Sequence, residues 1–179
     1  MVPMFSIVGH SNTGKTTYIR KLVKELRLRG YKVAVIKHDP LDHGDVDKAG
    51  SDTSYFFEEG SSAVVLSSPL RLSIFRRVDR DTLPEKIIPL CGDVDCAILE
   101  GYKRWDYPKI EIWSSAKGKL DINPEQLHAI VYNQEEDRDA LLNIAPETLP
   151  VFFKDDLEGM VNLLENSILK NKSGGSNGS

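Results

Sequence analysis

Cysteine is scarce in this chain: Cys91 and Cys96 are the only two in 179 residues. Their spacing is neither C-x-x-C nor part of a four-ligand set. This argues against a disulfide scaffold or a thiolate metal centre and leaves two reduced, largely structural thiols. No apolar run approaches the ~20 residues of a membrane span, so no membrane partner is expected. No basic segment followed by an apolar core and a cleavage site opens the chain, so no export signal is expected and a cytoplasmic protein fits. Neither charge dominates. The 23 Lys and Arg against 27 Asp and Glu leave a formal net charge of −4, which argues against nucleic acid as the main partner. There is no internal repeat and no sign of a second domain. The length suits one domain over residues 1–170, with a Gly- and Ser-rich flexible tail over 171–179.

What is present is concentrated near the start. Gly9-His10-Ser11-Asn12-Thr13-Gly14-Lys15-Thr16 fits G-x-x-x-x-G-K-[ST] without a mismatch, and Thr17 follows it. Glycines at both ends let the backbone curl so that successive N–H groups face a polyphosphate. Lys15 can reach the β- and γ-phosphates, and the Thr16 hydroxyl can hold Mg²⁺. The next helix adds orphan N–H groups and a partial positive charge. The context agrees: Met4–Val8 reads as a short buried strand, and Ile19, Leu22, Val23 and Leu26 form an apolar helical stripe that Gly30 can end. A nucleoside triphosphate site is expected.

Further strands are expected at 32–37, 61–66, 71–75, 96–99, 109–113, 129–132 and 151–153. Helices are expected from Thr53 to Glu59, from a capping box at 82–85 toward Leu90, from Asp137 to Leu142, and after Asp155 through Ile168. Strands alternating with helices imply an α/β fold: a P-loop NTPase-like, mainly parallel sheet with helices on both faces. The Leu72–Trp113 region, with two alternating strands, could instead carry an antiparallel extension. Ligands in such sheets bind beyond the carboxyl ends of the strands.

A phosphate loop needs an acid at a neighbouring strand end to orient magnesium and water. In Asp95-Cys-Ala-Ile-Leu-Glu100-Gly101, four apolar residues end in Glu100 on the ligand side, whereas Asp95 sits at the opposite end. Asp52 opens a short helix, either as a capping acid or as a magnesium-side or water-positioning acid. Lys103 and Arg104 could neutralise phosphate or dock a phosphorylated partner. His38 and His43, among aspartates in the 37–47 segment, hint at a transition metal, but their five-residue spacing matches no standard zinc pattern. A solvated loop is the simpler reading there. His10 reads as positional and His128 as structural. There is no arginine finger, no glutamine dedicated to the attacking water and no Asn-Lys-x-Asp base-reading motif. Asn133 or Asp137 could meet a purine edge, though a turn into a capped helix is the simpler reading.

Together these residues resemble the MobB family, the B protein of molybdopterin-guanine dinucleotide biosynthesis. The resemblance rests on four segments in order: Val8–Thr17; Ile36-Lys-His38; Asp45-Val-Asp-Lys-Ala-Gly-Ser-Asp-Thr53 leading to Glu59-Gly-Ser61; and Leu99-Glu-Gly-Tyr-Lys103 with Pro108-Lys-Ile-Glu111. Pro150–Asp156 is a weaker echo. The resemblance implies a homodimeric GTP-binding protein with weak hydrolysis. Such a protein supports the MobA-type guanylyltransferase that joins GMP to molybdopterin, and helps deliver the cofactor to molybdoenzymes. It implies that Asp47, Asp52 and Glu100 surround nucleotide and Mg²⁺, with Lys15, Asp52 and Glu100 serving hydrolysis and Thr16, Asp52 and Glu100 the metal. The chain departs from the family's Asp-Lys-Pro-Gly-Lys-Asp-Ser pattern at Ala49, Ser51 and Thr53, which removes a lysine. Two other readings stand beside it. A small-metabolite kinase would use an arginine-rich lid, for which Arg71, Arg76, Arg77 and Arg80 are candidates. A nucleotide-responsive adaptor would lack meaningful turnover.

Overall fold

The structure, a computed structural model, describes residues 1–42 and 47–169. His43, Asp45 and the tail expected at 171–179 lie outside the described residues. In chain order the main elements are β1 (Met4–Val8), α1 (Lys15–Leu28), β2 (Val33–Lys37), α2 (Asp52–Glu58), β3 (Ala63–Ser68), β4 (Arg71–Arg76), α3 (Pro84–Ile87), β5 (Cys96–Glu100), β6 (Lys109–Trp113), β7 (Leu127–Tyr132), α4 (Asp137–Leu142), β8 (Val151–Phe153) and α5 (Leu157–Ser167). They fall into two compact units, one of Met1–His38 with Ile87 onward and one of Asp39–Lys86.

The larger unit is a six-stranded sheet in the order β2-β5-β1-β6-β7-β8, parallel throughout. Buried on both faces, its central strands need apolar side chains at consecutive positions. Phe5, Ile7, Ile98, Ile110 and Ile112 point to one face, where Tyr18, Ile19, Leu22 and Leu26 of α1 and Met160, Val161 and Leu164 of α5 cover them. The other face carries two clusters, one around Ala97, Leu99 and Tyr102 and one in which Val8, Trp113 and Ile130 meet Leu141 of α4. Each such side chain contributes about 1.5–3 kcal/mol by leaving water. The α5 cap is Asp156, whose side chain accepts from the Gly159 N–H at 2.9 Å.

The alternation in Lys109-Ile-Glu-Ile-Trp113 has a different cause from the one expected. All five residues are buried, because β6 runs in parallel between β1 and β7 rather than in an antiparallel extension. Its polar members are satisfied internally. The Lys109 ammonium donates to the Trp105 and Tyr107 carbonyls at 2.6 and 3.2 Å, and the Glu111 carboxylate accepts the Asp121 and Ile122 N–H groups at 2.7 and 3.1 Å.

In the smaller unit, β3 and β4 form a separate two-stranded antiparallel sheet, so the strand expected at 61–66 does not join the parallel one. The α2 cap is Ser51, which accepts from the Ser54 N–H at 3.3 Å and leaves Asp52 as the first helical residue. The Arg77 guanidinium lies 4.2 Å from the Phe57 ring centroid and donates to the Phe57 carbonyl. The helix expected toward Leu90 stops at Ile87 and continues as a 3₁₀ turn over Ile88–Cys91. Cys96 is buried in its strand, whereas Cys91 is exposed and therefore not structural in the packing sense.

Candidate functional site

The loop between β1 and α1 turns around its glycines. At Gly9 φ is +132°, and a Cβ there would stand 2.4 Å from the Ile112 carbonyl oxygen, so only glycine lets the chain leave β1 so close to β6. Gly14, with φ +85°, is the N-cap of α1. The loop is braced from inside and outside. The Thr13 hydroxyl donates to the His10 carbonyl at 2.9 Å, and the Asn133 amide at the end of β7 donates to the Thr13 carbonyl at 2.8 Å. The Lys15 ammonium donates to the Gly9 and His10 carbonyls at 3.1 and 2.6 Å. Burial first, and then the nearby Lys103 ammonium, push its pKa below the usual lysine range.

Parallel pairing brings the expected acid to this loop. Ile7 and Glu100 are register partners, and the Thr16 hydroxyl donates to Glu100 Oε1 at 3.2 Å. The chain beyond Glu100 is pinned: the Gly101 N–H donates to the Ile7 carbonyl and the His38 N–H to the Glu100 carbonyl, both at 3.0 Å. Tyr102 is buried with φ +54°, against the His38 ring at 4.8 Å and the Trp105 ring at 5.1 Å. Lys103 follows and forms an ion pair with Asp121, whose other oxygen lies 3.9 Å from His10 Nδ1. Among the described residues, His10 Nε2 is buried without a hydrogen-bond partner.

On its other flank the loop borders a cleft of about 360 Å³ lined by Gly14, Thr17, Tyr18, Asn133, Gln134 and Lys154. Among the described residues the Tyr18 hydroxyl is buried there without a hydrogen-bond partner, and burial raises its pKa strongly. Thus Gly9, His10, Ser11, Asn12, Thr13, Gly14, Lys15, Thr16, Thr17 and Glu100 share one corner of the larger unit. Asp52 belongs to the smaller unit, as does Asp47, whose carboxylate accepts from the Thr53 hydroxyl and the Lys48 N–H and is held below the usual carboxylate range by those bonds. His128 stands at the start of β7 with Nε2 2.7 Å from the Ser167 hydroxyl, and burial lowers its pKa. No three His, Cys, Asp or Glu among the described residues are grouped to hold a metal. The Thr16 hydroxyl and Glu100 carboxylate nevertheless supply the hard oxygens that Mg²⁺ accepts.

Sequence spacing pointed to Glu100 and the loop but gave no role to Asp121, Tyr18 or Lys154. Asp121 directly follows no strand; the Glu111 carboxylate accepts its backbone N–H, and its own carboxylate reaches Lys103 and His10. The alternation in β6 gave no signal of this, because it does not reveal that Glu111 is buried and needs donors.

A parallel α/β sheet with such a loop at the carboxyl end of β1 defines a P-loop NTPase-like protein. Residues 4–133 match the family described as Molybdopterin guanine dinucleotide synthesis protein B, MobB, and the chain belongs to that family. It is 28% identical over 172 residues to the Escherichia coli (strain K12) molybdopterin-guanine dinucleotide biosynthesis adapter protein, covering 92% of each chain. It is 36% identical over 113 residues to the adapter protein of the same description from Haemophilus influenzae, covering 61% of this chain and 62% of that one. In fold it is similar to the crystal structure of Bacillus subtilis MobB, with a TM-score of 0.68 at 23% identity over 90% of this chain and 97% of that one.

Proposed function

We propose that this protein is a GTP-binding adapter of molybdopterin-guanine dinucleotide biosynthesis with slow GTPase activity. The observation that carries the nucleotide reading is the loop Gly9–Thr16 closed on its own lysine, with the Thr16 hydroxyl 3.2 Å from Glu100. Lys15 exchanges loop carbonyls for β- and γ-phosphate oxygens, and the α1 N-terminus adds N–H donors. Thr16 and Glu100 would hold Mg²⁺, which when bound neutralises charge on the terminal phosphates. Asp52 is proposed as a third acid of the nucleotide site on the family resemblance. Slow turnover is part of the proposal because the sequence offers no evident arginine finger or water-orienting glutamine, groups worth roughly 10³–10⁵ in rate elsewhere. The guanine preference, the MobA-type guanylyltransferase and molybdoenzymes as partners, homodimerisation and a cytoplasmic setting come with the family.

Competition titration of GTP against ATP with Mg²⁺ tests the nucleotide, and tighter GTP binding is expected. Phosphate release with and without candidate acceptors tests the chemistry, and slow release indifferent to acceptor is expected. Fast transfer to a metabolite would instead make the protein a kinase. No release under any condition would make it a pure adaptor.

A further inference from the structure

The loop has two distinct flanks. One borders the cleft of Gly14, Tyr18 and Asn133. The other is the His10 side, where the Lys15 ammonium rests on the Gly9 and His10 carbonyls. Because Lys15 serves the β- and γ-phosphates, the terminal phosphate belongs on the His10 flank and the nucleoside on the cleft flank.

Lys103 and Asp121 stand on the His10 flank. The Lys103 ammonium is paired with Asp121, and Asp121 is in turn beside His10. Neither position is accidental. Tyr102, buried at 4% exposure with a left-handed backbone, turns the chain so that Lys103 comes back toward the loop. Asp121 is fixed through its backbone by the fully buried Glu111, whose register partner Val8 directly precedes Gly9. Two ammonium groups, Lys15 and Lys103, thus sit close enough that one depresses the other's protonation. Both Glu100 and Asp121 oppose them, so without ligand the charges balance. A terminal phosphate carries more charge than a carboxylate and offers three acceptor oxygens, so it outcompetes Asp121 for Lys103.

We propose that Lys103 is a second phosphate-reading cation, stored on Asp121 beside the loop, and that it makes the site favour nucleoside triphosphates over diphosphates. The inference rests on the nucleotide reading of the loop but not on guanine. A diphosphate ends at Lys15 and leaves the Lys103–Asp121 pair intact. A triphosphate draws Lys103 onto its terminal oxygens and leaves Asp121 to His10.

The test is titration of the full chain with fluorescent mant-GTP, mant-GDP, mant-ATP and mant-ADP in Mg²⁺, for wild type, Lys103→Ala, Lys103→Met, Lys103→Arg and Lys15→Ala. Lys103→Ala is expected to weaken triphosphate binding about tenfold and leave diphosphate binding unchanged. Lys103→Met, which keeps the apolar stem, should behave alike, and Lys103→Arg should retain the preference. Equal loss for both nucleotides in the Ala and Met variants, or no loss for either, would overturn the proposal. Failure of the loop reading looks different: wild type would bind neither nucleotide, or Lys15→Ala would bind as wild type does. Thermal melts of each variant separate loss of fold from loss of contact.

Discussion

The two units use their apolar residues in opposite ways. In the larger one Phe5, Ile7, Leu22, Ile98, Ile110 and Ile112 are fully buried, and the Thr13 carbonyl of the loop is tied to Asn133 at the end of β7. In the smaller one, Ser54, Val64 and Pro84 are the buried residues among those described, while Tyr55, Phe56, Val65, Leu66, Leu70, Leu72 and Ile74 are exposed. A lone two-stranded sheet is at best marginal in water and leaves a free edge on each strand. On the function proposed above, the larger unit would hold the nucleotide in fixed geometry, and the exposed apolar residues of the smaller unit would present surface to a partner. If so, substitutions should separate cleanly, those in the first unit altering nucleotide binding and those in the second altering association.

The largest effect is expected at Gly9. Gly9→Ala places a Cβ 2.4 Å from the Ile112 carbonyl at a φ of +132°. Backbone strain and overpacking together should cost about 3 kcal/mol of stability, read as a lowered midpoint in urea, with nucleotide binding lost as well. A variant as stable as wild type would mean that the loop does not need its close approach to β6. Next comes Lys15→Ala, which leaves the fold intact and removes the ammonium now resting on two loop carbonyls. Triphosphate affinity should fall roughly 10- to 100-fold by equilibrium titration, while self-association stays as in wild type.

The third prediction addresses the other unit. In the hairpin, Val65 pairs with Ile74, and Leu72 with Ser67. Val65→Lys with Leu72→Lys charges an exposed apolar face without touching its few buried residues. Sedimentation should show self-association weakened about tenfold or more, because charge on an apolar edge opposes pairing, with nucleotide affinity unchanged. An unaltered association state would remove this hairpin from the proposed homodimer and blunt the contrast between the units.

The uneven legibility of the two units follows from the same contrast. A parallel strand buried on both faces leaves an apolar run, so β1, β5 and β7 could be located from composition, and Glu100 could be placed at a strand end on the ligand side. α4 and β8 came out with the bounds read from the sequence. Strand partners were not legible. The 61–66 run looked like another member of the sheet, because apolar residues in a strand do not reveal whether a helix covers them. β6 misled in the opposite direction: its alternation suggested an antiparallel extension, whereas it lies inside the parallel sheet and buried carbonyls and N–H groups satisfy Lys109 and Glu111. Asp121 reaches the loop through those bonds, and bonds to backbone leave no periodic trace in a sequence.

The smallest effect expected concerns that same Glu111, and it distinguishes a merely buried carboxylate from one that organises the site. Burial raises its pKa, opposed by the Asp121 and Ile122 N–H bonds. For an acid whose folded pKa exceeds its unfolded one, the folded state holds the proton more tightly through the window between them. By linkage, stability falls as pH rises from the ordinary carboxylate range through the raised folded value, then stays level above it. Glu111→Gln removes this slope. It also replaces one of two acceptor oxygens with an NH₂ that faces an N–H, so at neutral pH the variant should be about 1 kcal/mol less stable. Urea unfolding from acid to neutral pH reads both effects. Because Glu111 sets the backbone of Asp121, the variant should also loosen the Lys103–Asp121 pair, narrowing the triphosphate preference while leaving hairpin association unchanged. A variant that keeps the wild-type pH slope would mean that the titration arises elsewhere. One that keeps the full nucleotide preference would mean that Asp121 holds its place without the buried carboxylate beneath it.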